Sequence, residues 1–411
     1  MSAECPAGKA NHKETVDRLV RRFDHHDPEL SVEVLNDVYD GLLAGPQVQR
    51  TEAHGGFSYV TRYEDICEVS RNPQTFCSGK GVRFPRQTGT PLAIPPEIDR
   101  PLHTEYRKLF MDVLSAPKVR AAEPFLRELT NKLLRDYVAG PQDNFSQHVA
   151  VQLPIRAVGT LVGWDLSASD EMQGHALAIL EHYGEAGAVD AVRKLSAIAQ
   201  AEIDARRANP RDDYLTVLIN AKVEGRQLTD DELQNIVRTF IFAGFETTAH
   251  MIGSLMAYLA QQPELQERIR TDDAALANFV EEALRMFPPV QTMFRTVVTP
   301  TELHGVQLPP GEAVGLLYAA ANRDPKKFEH PEKLDVDRAN AFEHVSFGFG
   351  IHRCAGSQLA RAEIRILLEE LRQYPPFTLG GPVVFRPHLM GGQMMGPERL
   401  PISFRSTGER A

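Results

Sequence analysis

Cysteine is scarce in this chain: Cys5, Cys67, Cys77 and Cys354 are the only four in 411 residues, and no two form a Cys-x-x-Cys pair. So sparse a set excludes a disulfide-stapled scaffold and disfavours a zinc ribbon; it suits a reducing compartment, and a cytoplasmic protein is expected. Basic residues are in deficit too. The formal net charge of −10 is opposite to the footprint of a nucleic-acid binder, so no nucleic-acid partner is expected. Low-complexity blocks, internal repeats and linkers are missing, and nothing divides residues 1–411 into separate units. Residues 1–22 are polar and charged, without the apolar stretch of a signal peptide or membrane anchor. The single long apolar run, residues 240–260, carries Glu246, Thr247, Thr248 and His250 at its middle. Hydrocarbon would make those groups costly, so a helix buried in a protein core is the better reading. Hydrophobic content of 42% and charged content of 24% describe an ordinary globular protein.

What is present is mostly helical periodicity, over about residues 102–114, 117–139, 146–163, 169–208, 229–262, 274–287 and 355–373. Residues 46–62 predict a hairpin, Gln47 to Thr51 and Phe57 to Thr61 joined by a turn through His54, Gly55 and Gly56. A second hairpin is predicted over 303–318, with Pro309, Pro310 and Gly311 as its turn. β segments from both ends of the sequence imply one interwoven domain, mainly α with a small β lobe. The stretch 229–262 has legible ends: Thr229 and Glu232 match a capping box, and Pro263 closes the helix. At ~1.5 Å per residue it would span roughly 50 Å. Its middle, Ala243 to Thr248, is weak, because an interior glycine costs about 0.5–1 kcal/mol and adjacent β-branched threonines add to that. Such a stretch invites a bulge in the backbone ladder beside a buried acid and a hydroxyl. The bland alternative is a glycine for close helix packing and a threonine bonded back to its own helix.

The sharpest signal is the run Phe347 to Gly356, FGFGIHRCAG, leading straight into a helical pattern. It presents Cys354 on a glycine-hinged loop at a helix N-terminus, where main-chain N–H groups and the helix dipole favour a thiolate. A thiolate so held is what an iron porphyrin needs as the axial ligand for O–O cleavage.

This segment resembles the haem-ligand loop of the cytochrome P-450 family, Phe-x-x-Gly-x-x-x-Cys-x-Gly, with all four anchors in place. The resemblance implies an α-rich triangular prism, a long central helix over haem b (iron protoporphyrin IX), and a minor β lobe. It implies Cys354 as the iron ligand, Phe347 packed against the haem near the sulfur, and His352 as a donor to a haem propionate. Gly350 and Gly356 would permit backbone geometry and a close helix approach that a Cβ would obstruct. Ala243 to Thr248 resembles the family's oxygen-activation motif, Ala/Gly-Gly-x-Asp/Glu-Thr. By that likeness Thr247 hydrogen-bonds dioxygen or its water, Glu246 helps deliver protons, and Ala243 and Gly244 leave room above the haem. Glu282 and Arg285 match the family's Glu-x-x-Arg pair, and Arg338 matches the third member of a bracing network. His103 and Arg107, four apart on one helix face, and Arg295 on a strand match propionate ligands.

The same likeness implies a cytoplasmic, monomeric haem-thiolate monooxygenase of the soluble bacterial type. It would insert one atom of dioxygen into an apolar small molecule, by C–H hydroxylation or epoxidation. Electrons would come from a separate ferredoxin or flavodoxin and its NAD(P)H-dependent reductase. Lys108, Lys118, Arg120, Arg353, Arg361, Arg365 and Arg372 are expected as a local basic bias that could steer an acidic redox partner. Phe84, Leu92, Ile94, Phe240, Val290, Met293, Phe294 and Met394 are expected to line an apolar substrate pocket. Arg83 and Arg86 could recognise an acidic group, solvent exposure being the commoner outcome. Gly79, Gly81 and Gly89 suggest a mobile lid. Two other readings stand beside this one: a peroxide-driven peroxygenase on the same haem, and a non-catalytic haem sensor.

Overall fold

The computed structural model describes residues 6–385 and 395–404. A helix in two parts runs through their middle. Thr229 caps it: the Thr229 hydroxyl accepts from the Glu232 N–H at 3.2 Å, and the Glu232 carboxylate accepts from the Thr229 N–H at 2.8 Å. The sequence predicts one helix over 229–262, but regular helix runs Asp230–Gly244 and then Glu246–Leu259. The break falls on Phe245, with φ −119 and ψ −45. Its causes are local. Gly244 is a poor helix former, and the Thr247 hydroxyl donates to the Ala243 carbonyl at 3.1 Å, competing for an acceptor of the main-chain ladder. Tertiary packing holds Gly244 in place, because a Cβ there would lie 2.9 Å from Val158 on the Gln152–Val162 helix.

Around this axis the helices Leu102–Leu114, Ala116–Ala139, Asp273–Met286 and Ser357–Leu371 follow the predicted spans closely. The predicted 169–208 helix is two, Ser169–Glu181 and Ala186–Ala208, separated at Gly184, whose φ of 91 no regular right-handed helix accepts. Helices Pro6–Arg21, Val32–Ala44, Tyr63–Arg71 and Pro263–Thr271 were not anticipated. The second of these buries Val34, Leu35, Val38 and Leu42 in a cluster with Phe57, Tyr59 and Phe294 of the sheet, so distant partners complete its apolar face.

The predicted hairpin near residue 50 is present, Val48–Thr51 against Phe57–Val60, with Val48 opposite Val60. Phe57–Val60 also pairs in parallel with Ala313–Leu316. That strand pairs antiparallel with Met293–Val297, which in turn takes up Phe76–Cys77. The five-stranded sheet therefore joins the two ends of the sequence. The hairpin expected over 303–318 is corrected. Thr301–Leu303 pairs with Val306–Leu308 through His304 and Gly305, whose φ values of 49 and 80 suit a two-residue hairpin turn. Pro309, Pro310 and Gly311 instead carry the chain to the main sheet, where Gly311 N–H donates to the Val297 carbonyl at 2.8 Å. Two consecutive prolines have no N–H with which to extend a ladder. Among the described residues, no helix is long and apolar enough to cross a membrane.

Glu282, Arg285 and Arg338 come together as expected. Arg285 donates to both carboxylate oxygens of Glu282, at 2.6 and 3.0 Å, and Arg338 Nε lies 3.0 Å from Glu282 Oε1. All three are buried, and Arg285 also holds the carbonyls of Asn322, Pro331 and Lys333. Removing the shared anion strands two buried guanidinium groups, so Glu282→Ala should cost about 3–5 kcal/mol of stability. A urea midpoint shift equivalent to less than ~1 kcal/mol would assign the pair no bracing role.

Candidate active site

The break in the central helix faces an interior cavity of about 250 Å³. Thr239, Ala243, Gly244, Thr247 and Thr248 line one side. Opposite lie Phe347, Gly348, His352, Cys354 and Gly356 of the loop that leads into the Ser357–Leu371 helix. His103 and Arg107, from the Leu102–Leu114 helix, and Arg295 and Met293, from the sheet, close the ends.

The cysteine loop is tightly determined. Cys354 N–H donates to the Phe347 carbonyl at 2.8 Å. Gly350 has φ 71, and a Cβ there would sit 2.3 Å from the Ser70 carbonyl oxygen, so only glycine fits against the Tyr63–Arg71 helix. At Gly356 the expectation is corrected: a Cβ would meet only Cys354 Sγ, at 3.9 Å, an ordinary contact. Gly244 lines the cavity as expected, and its missing Cβ also makes room for Val158. Phe347 carries the Arg361 guanidinium on its ring face, 4.6 Å from the centroid. Cys354 sulfur is exposed, but to this interior cavity. Burial pushes its thiol up, opposed by the Gly356 N–H and by Arg107, Arg361 and Arg353. Desolvation thus outweighs the helix N-terminus, and a metal cation at the sulfur would be needed to keep it ionised.

At the other end, positive charge gathers without a counter-ion. The rings of His103 and His352 lie 4.4 Å apart, and His103 Nε2 and both ring nitrogens of His352 are buried with no hydrogen-bond partner. Arg295 is buried, donates to the Phe294 carbonyl at 2.8 Å and faces the Tyr318 hydroxyl. Among the described residues, no carboxylate pairs with Arg107 or Arg295. Desolvation, with Arg107 and Arg100, holds His103 down to about 4 against the pull of Asp99. Desolvation, with Arg295, His103 and Arg107, holds His352 at about 3. Unsatisfied buried donors beside two guanidinium groups are costly unless an anion arrives. A ligand with two carboxylates and a metal that accepts sulfur fits both ends of this cavity.

Thr247 is half-buried and lines the cavity; Ala243 is exposed to it. Glu246 is buried behind the helix, outside the cavity lining, with its carboxylate 3.6 Å from His250 Nε2. A second cavity, of about 160 Å³, adjoins the first along Ala243, Thr247, Val290 and Met293. Val290, Met293 and Phe240 line these spaces as expected, Phe240 stacking on Phe110 with centroids 4.3 Å apart. Phe84 and Phe294 do not. They pack on each other at 5.5 Å and on Phe57, because strand alternation turns Phe294 to the opposite face from Met293 and Arg295. Leu92 offers its carbonyl to Asn235 but does not line either cavity, and Ile94 is core. Met394 lies outside the described residues. Sequence reasoning missed Phe242 and Tyr183, and Arg238 with them. Thr239, Phe242, Ala243 and Thr247 stand three, four and eight apart on one helical face, a pattern legible in the sequence.

The basic bias near the cysteine loop is narrower than expected. Arg361 pairs with Glu281, Arg365 with Glu123 and Glu369, Arg372 with Asp273, and Lys108 with Glu105, at 2.6–2.9 Å. Lys118, Arg120 and Arg353 are exposed. A separate cleft of about 890 Å³, between Lys132, Gln147, Arg156 and Gln173, is lined by neither a sulfur nor a converging cationic cluster.

Comparison with known proteins agrees with this geometry. The family model described as cytochrome P450 matches residues 186–374. A steroid C26-monooxygenase of Mycolicibacterium smegmatis is 32% identical over 381 residues, covering 90% of this chain and 92% of that protein. A β-dihydromenaquinone-9 omega-hydroxylase of Mycobacterium bovis is 32% identical over 362 residues, covering 85% and 72%. A Mycobacterium marinum cytochrome P450 solved in complex with pseudoionone superposes with a TM-score of 0.84 at 29% identity, covering 91% of this chain and 95% of that one.

Ligand-free protein should show the strain at the cationic end as a pH dependence. His103 has a folded pKa of about 4 against an ordinary 6.5. Between those values the unfolded chain takes up a proton that the folded chain refuses, so stability is full above pH 6.5 and falls as pH drops towards 4. His352, held at about 3, adds to the same slope, so His103→Asn should reduce the pH dependence of the urea midpoint across that window; an unaltered slope would mean that His103 is not held neutral.

Proposed function

The chain belongs to the cytochrome P450 family of monooxygenases, and we propose that it inserts one atom of dioxygen into an apolar organic molecule, by C–H hydroxylation or epoxidation. Members of the family bind haem b, which when bound supplies dioxygen activation at its iron. The observation that carries the reading is a single cavity with a sulfur at one wall, uncompensated cationic donors at its end and a broken helix across it.

Each side chain then has a task. Cys354 would hold the iron through sulfur, and Phe347, clamped by Arg361, would keep water from that wall of the cavity. Arg107, Arg295, His103 and His352 would take the propionate carboxylates; the orphaned imidazole nitrogens and the lack, among the described residues, of a carboxylate paired with the two arginines support this. Gly350 lets the loop lie against Ser70, and Gly356 starts the next helix beside the sulfur. Thr247 gives up its bond to the Ala243 carbonyl to donate toward dioxygen or its water, in space left by Ala243. Glu246, beside His250 behind the helix, replenishes that proton. Val290, Met293 and Phe240 exclude water from the reacting carbon.

We place the electron source in a separate ferredoxin or flavodoxin with its NAD(P)H-dependent reductase, and exposed Lys118, Arg120 and Arg353 support an acidic docking partner. Relatives named as a steroid C26-monooxygenase and a dihydromenaquinone omega-hydroxylase support a substrate with a large apolar body. The sheet that pairs residue 58 with residue 314 supports one domain, and the sparse cysteines support a reducing cytoplasm.

Turnover with NADH and a ferredoxin pair, set against peroxide alone, tests the reading; turnover only with peroxide would favour a peroxygenase. Cys354→Ser should abolish the family's characteristic reduced carbon-monoxide absorbance, and its survival would move the iron ligand elsewhere. Thr247→Ala should bind substrate as before but divert most electrons to peroxide, read as hydrogen peroxide formed per NADH consumed. Unchanged coupling would remove Thr247 from proton delivery.

A further inference from the structure

The second cavity is not lined as a purely apolar substrate requires. Arg83, Arg86 and Arg238 face it, against one acid, Glu97. Glu97 partly offsets Arg238, and its two oxygens are held by the main-chain N–H groups of Val82 at 3.0 Å and Ala93 at 2.7 Å rather than by a guanidinium. Arg86 is exposed and donates to the Thr90 carbonyl at 2.8 Å; Arg238 donates to the Ser196 hydroxyl at 2.9 Å. Arg83 is different. It is half-buried, its Nε is buried without a partner, and its guanidinium rests on the face of Phe242, 5.3 Å from the ring centroid. A guanidinium oriented by an aromatic ring, with its Nε unspent and, among the described residues, no paired carboxylate, is a preorganised oxyanion receptor.

The cavity roof belongs to the same unit. The Tyr183 hydroxyl donates to the Pro85 carbonyl at 2.9 Å and accepts from the Gln87 N–H at 3.2 Å. These bonds tie the segment after the Ser169–Glu181 helix to the loop that carries Arg83. Beyond the arginines the lining turns apolar, through Ile179, Val192, Val290 and Met293, until it reaches Ala243 and Thr247.

We propose that the substrate is an apolar molecule with one oxyanion headgroup, held by Arg83 with Arg238 behind it, its far end reaching Thr247. The inference rests on the oxygenase reading and deepens it by naming the substrate class. It also sets the regiochemistry: a C–H bond remote from the headgroup is converted to C–OH. Dioxygen supplies that oxygen atom and one water, with two electrons from the redox partner and two protons.

Haem-loaded enzyme is titrated with dodecanoate, dodecyl phosphate and 1-dodecanol, read by the Soret shift and independently by calorimetry. Imidazole serves as the control that reports an accessible haem. At least one of the two anions should bind tenfold or more tightly than the alcohol, the range of a charge-assisted hydrogen bond. Which anion prevails identifies the headgroup as carboxylate or phosphate. Arg83→Gln should erase that preference while 1-dodecanol and imidazole bind as before, and Arg83→Lys should restore part of it. Equal binding of alcohol and both anions, persistence of the preference in Arg83→Gln, or no binding by any chain while imidazole still shifts the Soret band would each overturn the inference. Absence of a Soret band would instead remove the oxygenase reading on which it stands.

Discussion

Two guanidinium groups and two unprotonated imidazoles converge on a buried space in which the described protein supplies no anion. Such an arrangement is unfavourable by itself, because desolvated charge and unpaired donors each cost free energy that packing must offset. The scaffold offsets it with order elsewhere. Glu282 gathers Arg285 and Arg338 into a buried ion network, and Arg285 then holds three carbonyls of the segment 322–333 that leads toward the cysteine loop. Charge is balanced where geometry must be rigid and left unbalanced at the cavity proposed to grip a charged cofactor.

The opposite wall relies on weakness instead. At Phe245 the central helix departs from regular geometry, and the neighbouring hydroxyl of Thr247 sits on the carbonyl of Ala243. Without the break, a continuous ladder would leave neither a free acceptor nor a reorientable donor beside the cavity. Close contact of Gly244 with Val158 confines the irregularity to one turn, so the flanking segments keep their helical packing. A further asymmetry follows in the outer cavity, where an arginine held by Phe242 gives one end of an otherwise apolar space a sign.

Much of this was legible residue by residue. The capping box at Thr229, the weak turn at Gly244 and the Glu282–Arg285 pair are local signals, written over three to six positions, and each reappears in the folded chain. Phe84 and Phe294 read equally well as pocket residues, yet they form a core cluster with Phe57. Aromatic character says that a residue avoids water; it does not say whether a neighbour or a ligand will cover it. The turn at Pro309 was read correctly as a turn but given the wrong partners, because the strand after it pairs with Met293–Val297 and with Phe57–Val60, the latter about 250 residues away.

From the sequence alone came the mainly helical class and the cysteine loop that favours a thiolate, since these rest on short-range spacing and intrinsic side-chain properties, while the residues expected to meet a porphyrin came from the resemblance of short motifs to a family's. Tertiary structure alone decided the burial that raises the Cys354 thiol against its helix terminus, the pairing that spends most of the surface arginines, and the unspent donor of Arg83. The physical reason is common to all three. Desolvation and hydrogen-bond satisfaction belong to a side chain's surroundings, and those surroundings are assembled from parts of the chain that no local window contains.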